Sequence, residues 1–436
     1  MYVKYFTGNL FIICLLLGAW IPVQSDFFSL IFWLVPANIF YFLLLYFSKK
    51  ENNILFYLLI AVAIRIALIF STPQLSDDYF RFIWDGHIFL KGENPYEKTP
   101  REYVSSPETM GDLYRFSHLN SPRFHSVYPP FLQYIFKLSV FFGDNRPDIQ
   151  IFVLKLFYAF FSIGMVLILP KLLKLYQQKT WQALIYLLNP LVLLEEMGNL
   201  HAEGIMVFFL ALFLFALKKF PHYAFLPLAT AIAVKLTPLL LIPSLILRLT
   251  FKRALLFVAG VMTILTLFFI PFLQGIMKGG FFLSLGLYFN KLELNAYGYN
   301  LFKISGYLTH GYNMIKILGP LTAVISTFFI LYFSFRKKGK LWGSFPVQAL
   351  ILYFIYLFFS PVIHPWYLIP LLFFTTFHPL KFVIVWSVLV FLSYSHYQYG
   401  LNKEHYPIVF FEYLTVTIFL IIDLYPYIFR REKFSI

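Results

Sequence analysis

Residues 54–86 read ILFYLLIAVAIRIALIFSTPQLSDDYFRFIWDG, an apolar run followed by two adjacent aspartates, an arginine and an Asp-Gly pair. The run Ile54–Phe70 holds a single charged residue, Arg65, and has the length and composition of a helix that crosses a bilayer. A cluster of charges directly after such a helix is unusual in so apolar a chain. It is the first indication of a functional site beside a membrane.

The composition of the chain predicts a membrane protein. Of its 436 residues, 60% are hydrophobic and only 13% are charged, whereas about 25% are charged in a soluble domain. Apolar runs recur along the whole length, so we predict an all-α polytopic integral membrane protein with about 12–14 transmembrane or re-entrant helices. The single cysteine, Cys14, excludes an intramolecular disulfide and a cysteine-based metal site.

Hydropathy divides the chain into five parts. These are N-terminal helices at 1–70, a long polar loop at 71–149, a transmembrane core at 150–273, a second loop at 274–312 and C-terminal helices at 313–436. The individual helices are predicted at 6–23, 27–48, 54–70, 150–169, 182–197, 203–217, 221–235, 236–247, 254–273, 313–334, 342–361, 365–377, 381–397 and 407–428. Several, notably 236–247 and 365–377, are too short to span alone and are expected to tilt, re-enter or break.

The distribution of charge predicts the orientation in the membrane. The net charge is +15, and basic residues concentrate in cytoplasmic loops. If the N-terminus is cytoplasmic and the helices alternate, the inside connections hold only Glu51 and Glu432 of the 20 acidic residues. The same connections carry Lys4, Lys49, Lys50, Lys171, Lys174, Lys179, Lys218, Lys219, Arg248, Lys252, Arg253, Arg336, Lys337, Lys338, Lys340, Lys381, Arg430, Arg431 and Lys433.

This orientation decides how residues 128–142 are interpreted. If that apolar segment crossed the bilayer, every later loop would invert, so we place it as an interfacial or half-inserted helix on the outer side. The unusual polar residues then converge on the outer face, and both termini lie on the cytoplasmic face.

Asp77 and Asp78 are the strongest candidates for catalysis. Two adjacent carboxylates cannot both ionise freely in a low-dielectric cleft, and the raised pKa of one of them suits a general base. The alternative is helix capping by Ser76 or Asp77. Capping does not account for Arg81 and Asp85 in the same stretch, which favours the functional interpretation.

Turn chemistry accounts for part of the same loop. Asp85-Gly86 and residues 91–96 are predicted to be turns that fold the loop back onto the membrane. Within the second turn, Asn94 and Tyr96 are either structural or contact sugar hydroxyls.

A histidine with nearby carboxylates follows in the core. His201 is predicted to close a two-helix hairpin on the outer face, surrounded by Glu195, Glu196, Asn199 and Glu203. A lone histidine is more often structural, but the polar and acidic residues around His201 favour a functional site. The His-x-Glu spacing is weak evidence for a metal without a third ligand.

Candidate substrate-binding residues lie in three further places. Lys235 lies at a predicted bend, against the positive-inside trend, and either reaches the interface or binds an anion such as phosphate. Glu293 and Asn295 lie in a polar, aromatic loop that suits sugar binding or forms an interfacial belt. His364 precedes Trp366 in a segment open to the same two interpretations.

The stretch SDDYFRFIWDGHIFLKGENPY resembles the outer-loop signature of bacterial GT-C-type glycosyltransferases, most closely the polyprenyl-phosphate-mannose-dependent α-mannosyltransferases. The similarity continues to residue 367, and the segment from the aspartate pair to Asn94-Pro95-Tyr96 is its most specific part. Further matches are Val127-Tyr128-Pro129-Pro130 with Gln133, Asn189–Glu195, Gly198–His201, Lys235-Leu236-Thr237-Pro238, Glu293–Ala296 and His364-Pro365-Trp366-Tyr367.

The resemblance implies a hexosyltransferase that moves mannose from a polyprenyl phosphate sugar donor to a lipid or glycan acceptor, with inversion. It implies a bacterial cytoplasmic membrane location with the site on the outer face and no nucleic-acid partner. Asp77 is implied to be the general base, and a divalent metal ion is left open as a cofactor. Asp78 or Glu203 would orient the acceptor or a metal, and the other candidate substrate-binding residues are Arg81, Asn94, Tyr96, His201, Lys235, Glu293, Asn295 and His364.

The sequence departs from the family pattern in two places, and two alternative functions remain. Two helices precede the helix that leads into the motif, where the motif is expected directly after the first helix, and Ala202-Glu203 replaces a more polar run. The first rival is a transporter or flippase of lipid-linked sugars, which would not need a carboxylate pair on an outer loop. The second rival is a glycan ligase or polymerase with a diphosphate-linked donor.

Overall fold

A computed structural model describes residues 2–104, 116–335, 344–400 and 403–429 of the protein. Most of these residues are helical, and among them the only strand-like pairing is an isolated bridge between Leu294 and Val362. The predicted all-α class is confirmed. The basic residues within 336–340 and 430–433, which are predicted to be cytoplasmic, lie outside the described residues.

The α-helices of five or more residues are numbered in chain order; shorter α-helical pieces, 3-10 helices and one π-helix are left unnumbered. They are α1 (Tyr2–Trp20), α2 (Phe27–Ser48), α3 (Leu55–Leu68), α4 (Asp78–Leu90), α5 (Pro100–Val104), α6 (Pro130–Gly143), α7 (Pro147–Leu175), α8 (Glu203–Lys219), α9 (Phe225–Val234), α10 (Ile242–Ile246), α11 (Phe251–Phe269), α12 (Leu273–Met277), α13 (Gly280–Asn290), α14 (Tyr299–His310), α15 (Ile315–Phe335), α16 (Phe345–Phe359), α17 (Ile369–Thr375), α18 (Lys381–Leu389) and α19 (Tyr406–Phe429).

Short helical pieces connect several of these helices. Between α7 and α8 they are Thr180–Ala183, Leu184–Leu187, Pro190–Val192 and the π-helical Leu193–Gly198, and elsewhere they are Pro221–Tyr223, Thr237–Leu241, Ile270–Phe272, Pro365–Leu368 and Val390–Gly400.

Among the described residues, six helices are long and apolar enough to cross a bilayer. A further pair, Pro190–Gly198 with Glu203–Lys219, passes the same test but is bent by 113°. Shorter apolar helices of 10–17 residues accompany them, so the predicted number of about 12–14 counts long and short helices together. The six long helices are Tyr2–Trp20, Phe27–Ser48, Pro147–Leu175, Phe251–Met277, Ile315–Phe335 and Tyr406–Pro426.

The segment predicted as one helix at 182–197 is instead a series of short pieces. Pro190 lacks the N–H that would continue the preceding helix, and the residue before a proline is pushed to an extended conformation. Asn189 is extended, with φ −64° and ψ 126°, and its side-chain oxygen accepts a hydrogen bond from Leu191 N at 2.9 Å. The break therefore has a local cause that average hydropathy does not register.

The two predicted loops contain helices. The loop 71–149 holds α4, α5 and α6, and the loop 274–312 holds α13 and α14. With 14 residues, α6 is about 21 Å long, shorter than a hydrocarbon core of about 30 Å. This helix therefore cannot cross a bilayer by itself.

Contacts between connections divide the bundle into two ends. At one end, here called the Lys49 end, Lys4 is ion-paired with Glu51 at 2.9 Å and Lys49 lies 4.8 Å from the ring of Trp181. All four residues belong to connections predicted to be cytoplasmic, or to their immediate neighbours. The grouping agrees with the predicted alternation of the helices, while the assignment of this end to the cytoplasm stays a prediction.

The opposite end, here called the Asp77 end, holds the predicted outer connections. Gln24 N donates to Gln74 O at 3.0 Å, and Leu75 N donates to the side-chain oxygen of Asn199 at 3.1 Å. These hydrogen bonds place the segment that leads to Asp77 directly against the break between the two halves of the bent helix pair.

Arg65, the charged residue inside α3, finds its partners in the bundle. Its Nε donates to Ser162 Oγ at 2.7 Å, and its Nη1 donates to the carbonyl oxygens of Ala61 and Leu187 at 3.0 and 2.9 Å. Leu187 ends one of the short pieces, so this buried cation satisfies a carbonyl group that the broken helix leaves free.

Candidate active site

The aspartate pair lies at the start of α4, and its two side chains have different surroundings. Asp77 is exposed and makes no capping hydrogen bond, whereas Ser76 Oγ accepts a hydrogen bond from Asp78 N at 3.3 Å. Asp78 is half-buried and its Oδ1 accepts a hydrogen bond from Asn120 at 3.1 Å. Ser76 therefore provides the side-chain contact at the helix start, and Asp77 is left open.

The electrostatic environment favours proton transfer at these carboxyls. Although the Asp77 side chain reaches solvent, partial desolvation by the surrounding protein raises its pKa above the usual range. Burial also raises the pKa of Asp78, although hydrogen bonds from Asn120 and Tyr128 and the charge of Lys235 oppose that rise. No cation or hydrogen-bond donor pairs with the Asp77 carboxylate among the described residues. An accessible carboxylate with a raised pKa is suited to act as a general base.

Lys235 follows the end of α9 and lies close enough to Asp78 for its charge to act on that carboxyl. The helix ends at Val234, and the backbone of Lys235 is extended, with φ −155° and ψ 140°. Its ammonium group is ion-paired with Glu203, the first residue of α8, and lies 4.6 Å from the ring centroid of Tyr367. The side chain of Lys235 is 29% exposed and that of Glu203 only 3%. A buried carboxylate thus holds a partly accessible ammonium group beside Asp78.

His201 is held in the break of the bent helix pair. Its ring stacks on Trp366 with the centroids 3.5 Å apart, and His364 stacks on the same indole at 4.3 Å. The Nε2 atom of His201 lies 3.3 Å from Glu195 Oε2, and Tyr394 donates to Glu195 Oε1 at 2.9 Å. His201 is buried, whereas His364 is half-buried and nearer to solvent.

The backbone of this break is strained. Leu200 adopts the left-handed region with φ 63°, which is uncommon for a residue other than glycine and costs about 1–3 kcal/mol. The amide of His201 donates to Glu195 O at 2.9 Å. Such strain persists only where surrounding contacts enforce it, and here it places His201 and Glu203 on the same turn.

Arg81 lies in a buried polar cluster between α4 and α6. Its Nε lies 2.7 Å from Asp85 Oδ1, and its Nη1 donates to Phe124 O at 2.8 Å. The other carboxylate oxygen of Asp85 accepts hydrogen bonds from Ser126 at 2.5 Å and Gln133 at 3.2 Å. The charge of Arg81 is thus neutralised inside the protein, one turn beyond the aspartate pair.

The prediction of a turn at Asp85-Gly86 is wrong, because both residues lie inside α4. A Cβ at position 86 would overlap the backbone carbonyl of Phe136, so the glycine permits close packing of α4 on α6. A turn does form at Gly92, whose φ of 83° is in the region that favours glycine.

The side chains of Asn94 and Tyr96 make hydrogen bonds within the protein. The Asn94 side chain accepts a hydrogen bond from Tyr96 N at 3.1 Å and donates to Phe272 O at 3.2 Å. Tyr96 is buried and its hydroxyl donates to Tyr128 O at 2.5 Å. Asn94 also borders a polar cavity of about 310 Å³ lined by Trp84, Glu93, Glu97, Lys98 and Gln274.

Glu293 and Asn295 belong to a separate ionic network. Lys303 lies 2.6 Å from Glu293, and the side chain of Asn295 donates to Glu412 at 3.1 Å. The backbone amide of Asn295 donates to Glu404 at 2.6 Å. Among the described residues, no hydrogen bond or ion pair joins this network to Asp77, Asp78 or Lys235.

The structure therefore brings together one part of the predicted set. Asp77, Asp78, His201, Glu203 and Lys235 share the Asp77 end of the bundle, with His364 stacked beside them. Within the described ranges, no group of three or more His, Cys, Asp or Glu side chains is arranged to hold a metal ion.

Sequence reasoning missed two residues that support this site. Asn120 holds Asp78, and Tyr394 holds Glu195. Asn120 lies in an unpatterned polar segment and Tyr394 in an apolar one, far away in sequence. No local signal in the sequence marks either of them.

A family model described as "Alpha-(1->6)-mannopyranosyltransferase, N-terminal domain" matches residues 14–250, which is more than half of the chain. The matched range contains Asp77, Asp78, His201, Glu203 and Lys235. Comparison with curated proteins and with solved structures gave no match. The resemblance to GT-C-type mannosyltransferases and the predicted enzyme class are confirmed, and the transporter alternative is not carried forward. The chain belongs to the alpha-(1->6)-mannopyranosyltransferase family and is a membrane-embedded glycosyltransferase.

Proposed function

We propose that the protein transfers a mannosyl group from a polyprenyl phosphate donor to a lipid or glycan acceptor on the outer face of the cytoplasmic membrane. The transfer inverts the configuration of the anomeric carbon, and Asp77 is the general base. The observation that carries this proposal is the placement of an accessible, unpaired Asp77 beside Asp78 and Lys235 at one end of a membrane bundle.

In the proposed reaction, Asp77 and Lys235 have separate roles. Asp77 accepts the proton of an acceptor hydroxyl, and the oxygen attacks the anomeric carbon on the face opposite the phosphate. The bond between this carbon and the phosphate oxygen breaks, and its electron pair remains on the departing polyprenyl phosphate. Lys235 stabilises the negative charge that grows on that phosphate in the transition state.

Asp78 and Glu203 have supporting roles in this proposal. Asn120 fixes Asp78 beside the base, which suits orientation of the acceptor. Glu203 fixes Lys235. The ring of Tyr367 lies against the lysine, and His364 and Trp366 of the same segment stack on each other. Arg81, Asn94, Tyr96 and His201 act by positioning, because each is bound within the protein.

Glu293 and Asn295 are proposed to act further from the reacting atoms. Their network links the chain between α13 and α14 to α19 through Glu412. Because Leu294, between them, forms a backbone bridge with Val362, the network supports the segment that carries His364.

The stereochemistry of the donor is a sharp test. An inverting enzyme that makes an α-mannoside requires a β-linked mannosyl phosphate. We expect the purified protein to transfer radiolabelled mannose from β-mannosyl polyprenyl phosphate to a synthetic α-mannoside and to form an α-(1->6) product. Transfer only from a nucleotide sugar, or only from a polyprenyl diphosphate sugar, would overturn the proposal; the second result would favour the ligase or polymerase rival.

A further inference from the structure

Lys155 is a buried cation inside the membrane-spanning helix α7, and the site described above does not use it. The residue is buried, and its Nζ has three hydrogen-bond acceptors: Ser71 Oγ at 3.0 Å, Gly198 O at 2.7 Å and Met197 O. An ammonium group has three donors, so all of them are satisfied. No carboxylate of the described residues lies within ion-pair distance of it. Burying a charge in this way is costly, which makes a function for it the first hypothesis.

Two of the three acceptors, the carbonyl oxygens of Met197 and Gly198, mark the end of the π-helical piece. Met197 and Gly198 are its last residues, and the carbonyl groups at a helix C-terminus lack partners within the helix and attract cations. By satisfying them, Lys155 fixes where the helix ends and where the strained turn begins. That turn carries His201 and Glu203.

The remaining acceptor, the hydroxyl of Ser71, belongs to the other half of the site. Ser71 lies at the start of the segment that leads to Asp77, and its hydroxyl donates to Leu68 O at 2.8 Å. A second hydrogen bond, from Leu75 N to Asn199, joins the same two segments close to the aspartates. Lys155 is thus bound at once to the turn that fixes Lys235, through Glu203, and to the loop that presents the base.

We propose that Lys155 is a positioning residue that sets the distance between Asp77 and the Glu203–Lys235 pair. This inference rests on the proposed function. Without Lys155, the donor still meets Lys235 and the acceptor still meets Asp77, but the two halves of the site no longer hold a fixed separation. The turnover rate is then affected more than substrate binding, because misplacement of reacting groups by about 1 Å can lower a rate about 100-fold.

The test compares Lys155→Met with Lys174→Met, which removes an exposed lysine from the same helix. For Lys155→Met we expect kcat to fall at least about tenfold while the KM for the donor changes less than about threefold. Hydrogen exchange measured by mass spectrometry should increase in residues 71–78 and 197–203 and remain unchanged in α1 and α2. Lys174→Met should match the wild type in all three measurements.

Other outcomes decide against the inference. An unchanged kcat in a folded Lys155→Met protein overturns it, and so does a rise in hydrogen exchange that extends evenly through the bundle. If Lys155→Met does not fold, Ser71→Ala removes the contact of Lys155 to the loop, together with the hydrogen bond of the hydroxyl to Leu68 O, and leaves the contacts to Met197 and Gly198 in place. A lowered kcat then supports the inference and an unchanged kcat contradicts it. The exchange measurement needs no substrate, so it remains decisive even if the proposed donor is wrong.

Discussion

Glu203 holds Lys235 in an ion pair of unequal exposure, in which the carboxylate is buried and the ammonium group is partly accessible. The two residues begin and end different helices, so the pair connects α8 to the end of α9. Because Lys235 also lies 4.6 Å from the ring of Tyr367, its position is fixed from two sides. This arrangement supports the proposed role of Lys235 as a preorganised binding group for the phosphate.

Replacement of Lys235 should weaken catalysis strongly. We expect Lys235→Met to lower kcat roughly 100-fold, because it removes the positive charge that stabilises the leaving phosphate. Steady-state kinetics with the polyprenyl phosphate donor measures the effect. Lys218→Met is the matched control, since Lys218 lies at the other end of the bundle over Tyr176; equal rates for the two variants would exclude a role for Lys235.

The activity should depend on pH through Asp77, which directly precedes α4. Partial desolvation raises the pKa of Asp77, and the base must be deprotonated to act. The acid limb of kcat/KM should therefore have its midpoint above the ordinary aspartate value of 3.8, with activity lost as the pH falls through it. A limb at or below that value would show that the carboxyl is not perturbed in the free enzyme.

The same shift has an opposite effect on stability. A carboxyl whose pKa is raised by folding binds its proton more tightly in the folded than in the unfolded chain, so its contribution favours folding as the pH falls through the folded pKa. Thermal unfolding of the wild type and of Asp77→Asn, compared over the same pH range, separates this contribution from that of other carboxyls.

The buried pair of Arg81 and Asp85 should matter for stability. Arg81→Met leaves the Asp85 charge buried without its cation, which costs about 3–5 kcal/mol, and we expect a marked fall in Tm together with a loss of folded protein. Arg146→Met is the control, because its ion pair with Asp148 is exposed. A Tm that is equally insensitive to both substitutions would contradict a supporting role for the pair.

Packing of α4 on α6 should be sensitive to one methyl group. At Gly86 an added Cβ meets the backbone of Phe136, which cannot move without shifting the helix. We therefore expect Gly86→Ala to lower Tm and activity together. The matched control is Gly286→Ala on α13, where the nearest atom to a Cβ is Asn290 Nδ2 at 3.6 Å.

Much of the fold was predictable because long apolar helices carry their signal locally. The start of α2 and the extent of α15 agree with the predicted spans within a few residues. The breaks were harder: the interruption between Leu187 and Glu203 depends on Pro190 and on the strained Leu200, which hydropathy averages over a window do not detect.

The residues of the candidate site could be proposed from the sequence where short motifs carry them, and not where they depend on pairs that are distant in sequence. Asp77, Asp78 and Lys235 stand out because charged residues are rare in this chain. The partners Asn120 and Tyr394 do not, since each joins the site only through the tertiary fold. For the same reason the sequence could not show that Glu293 and Asn295 form their own network with α14 and α19.

The central claim is that Asp77 removes the proton of the acceptor hydroxyl, and one measurement tests it most directly. Single-turnover transfer from β-mannosyl polyprenyl phosphate is compared for the wild type, Asp77→Asn and Asp148→Asn, with donor affinity measured for each. We predict that Asp77→Asn binds the donor normally and loses at least about 1,000-fold in rate, while Asp148→Asn, at an exposed carboxylate, matches the wild type. A folded Asp77→Asn protein that transfers mannose at a rate close to the wild type would contradict the account.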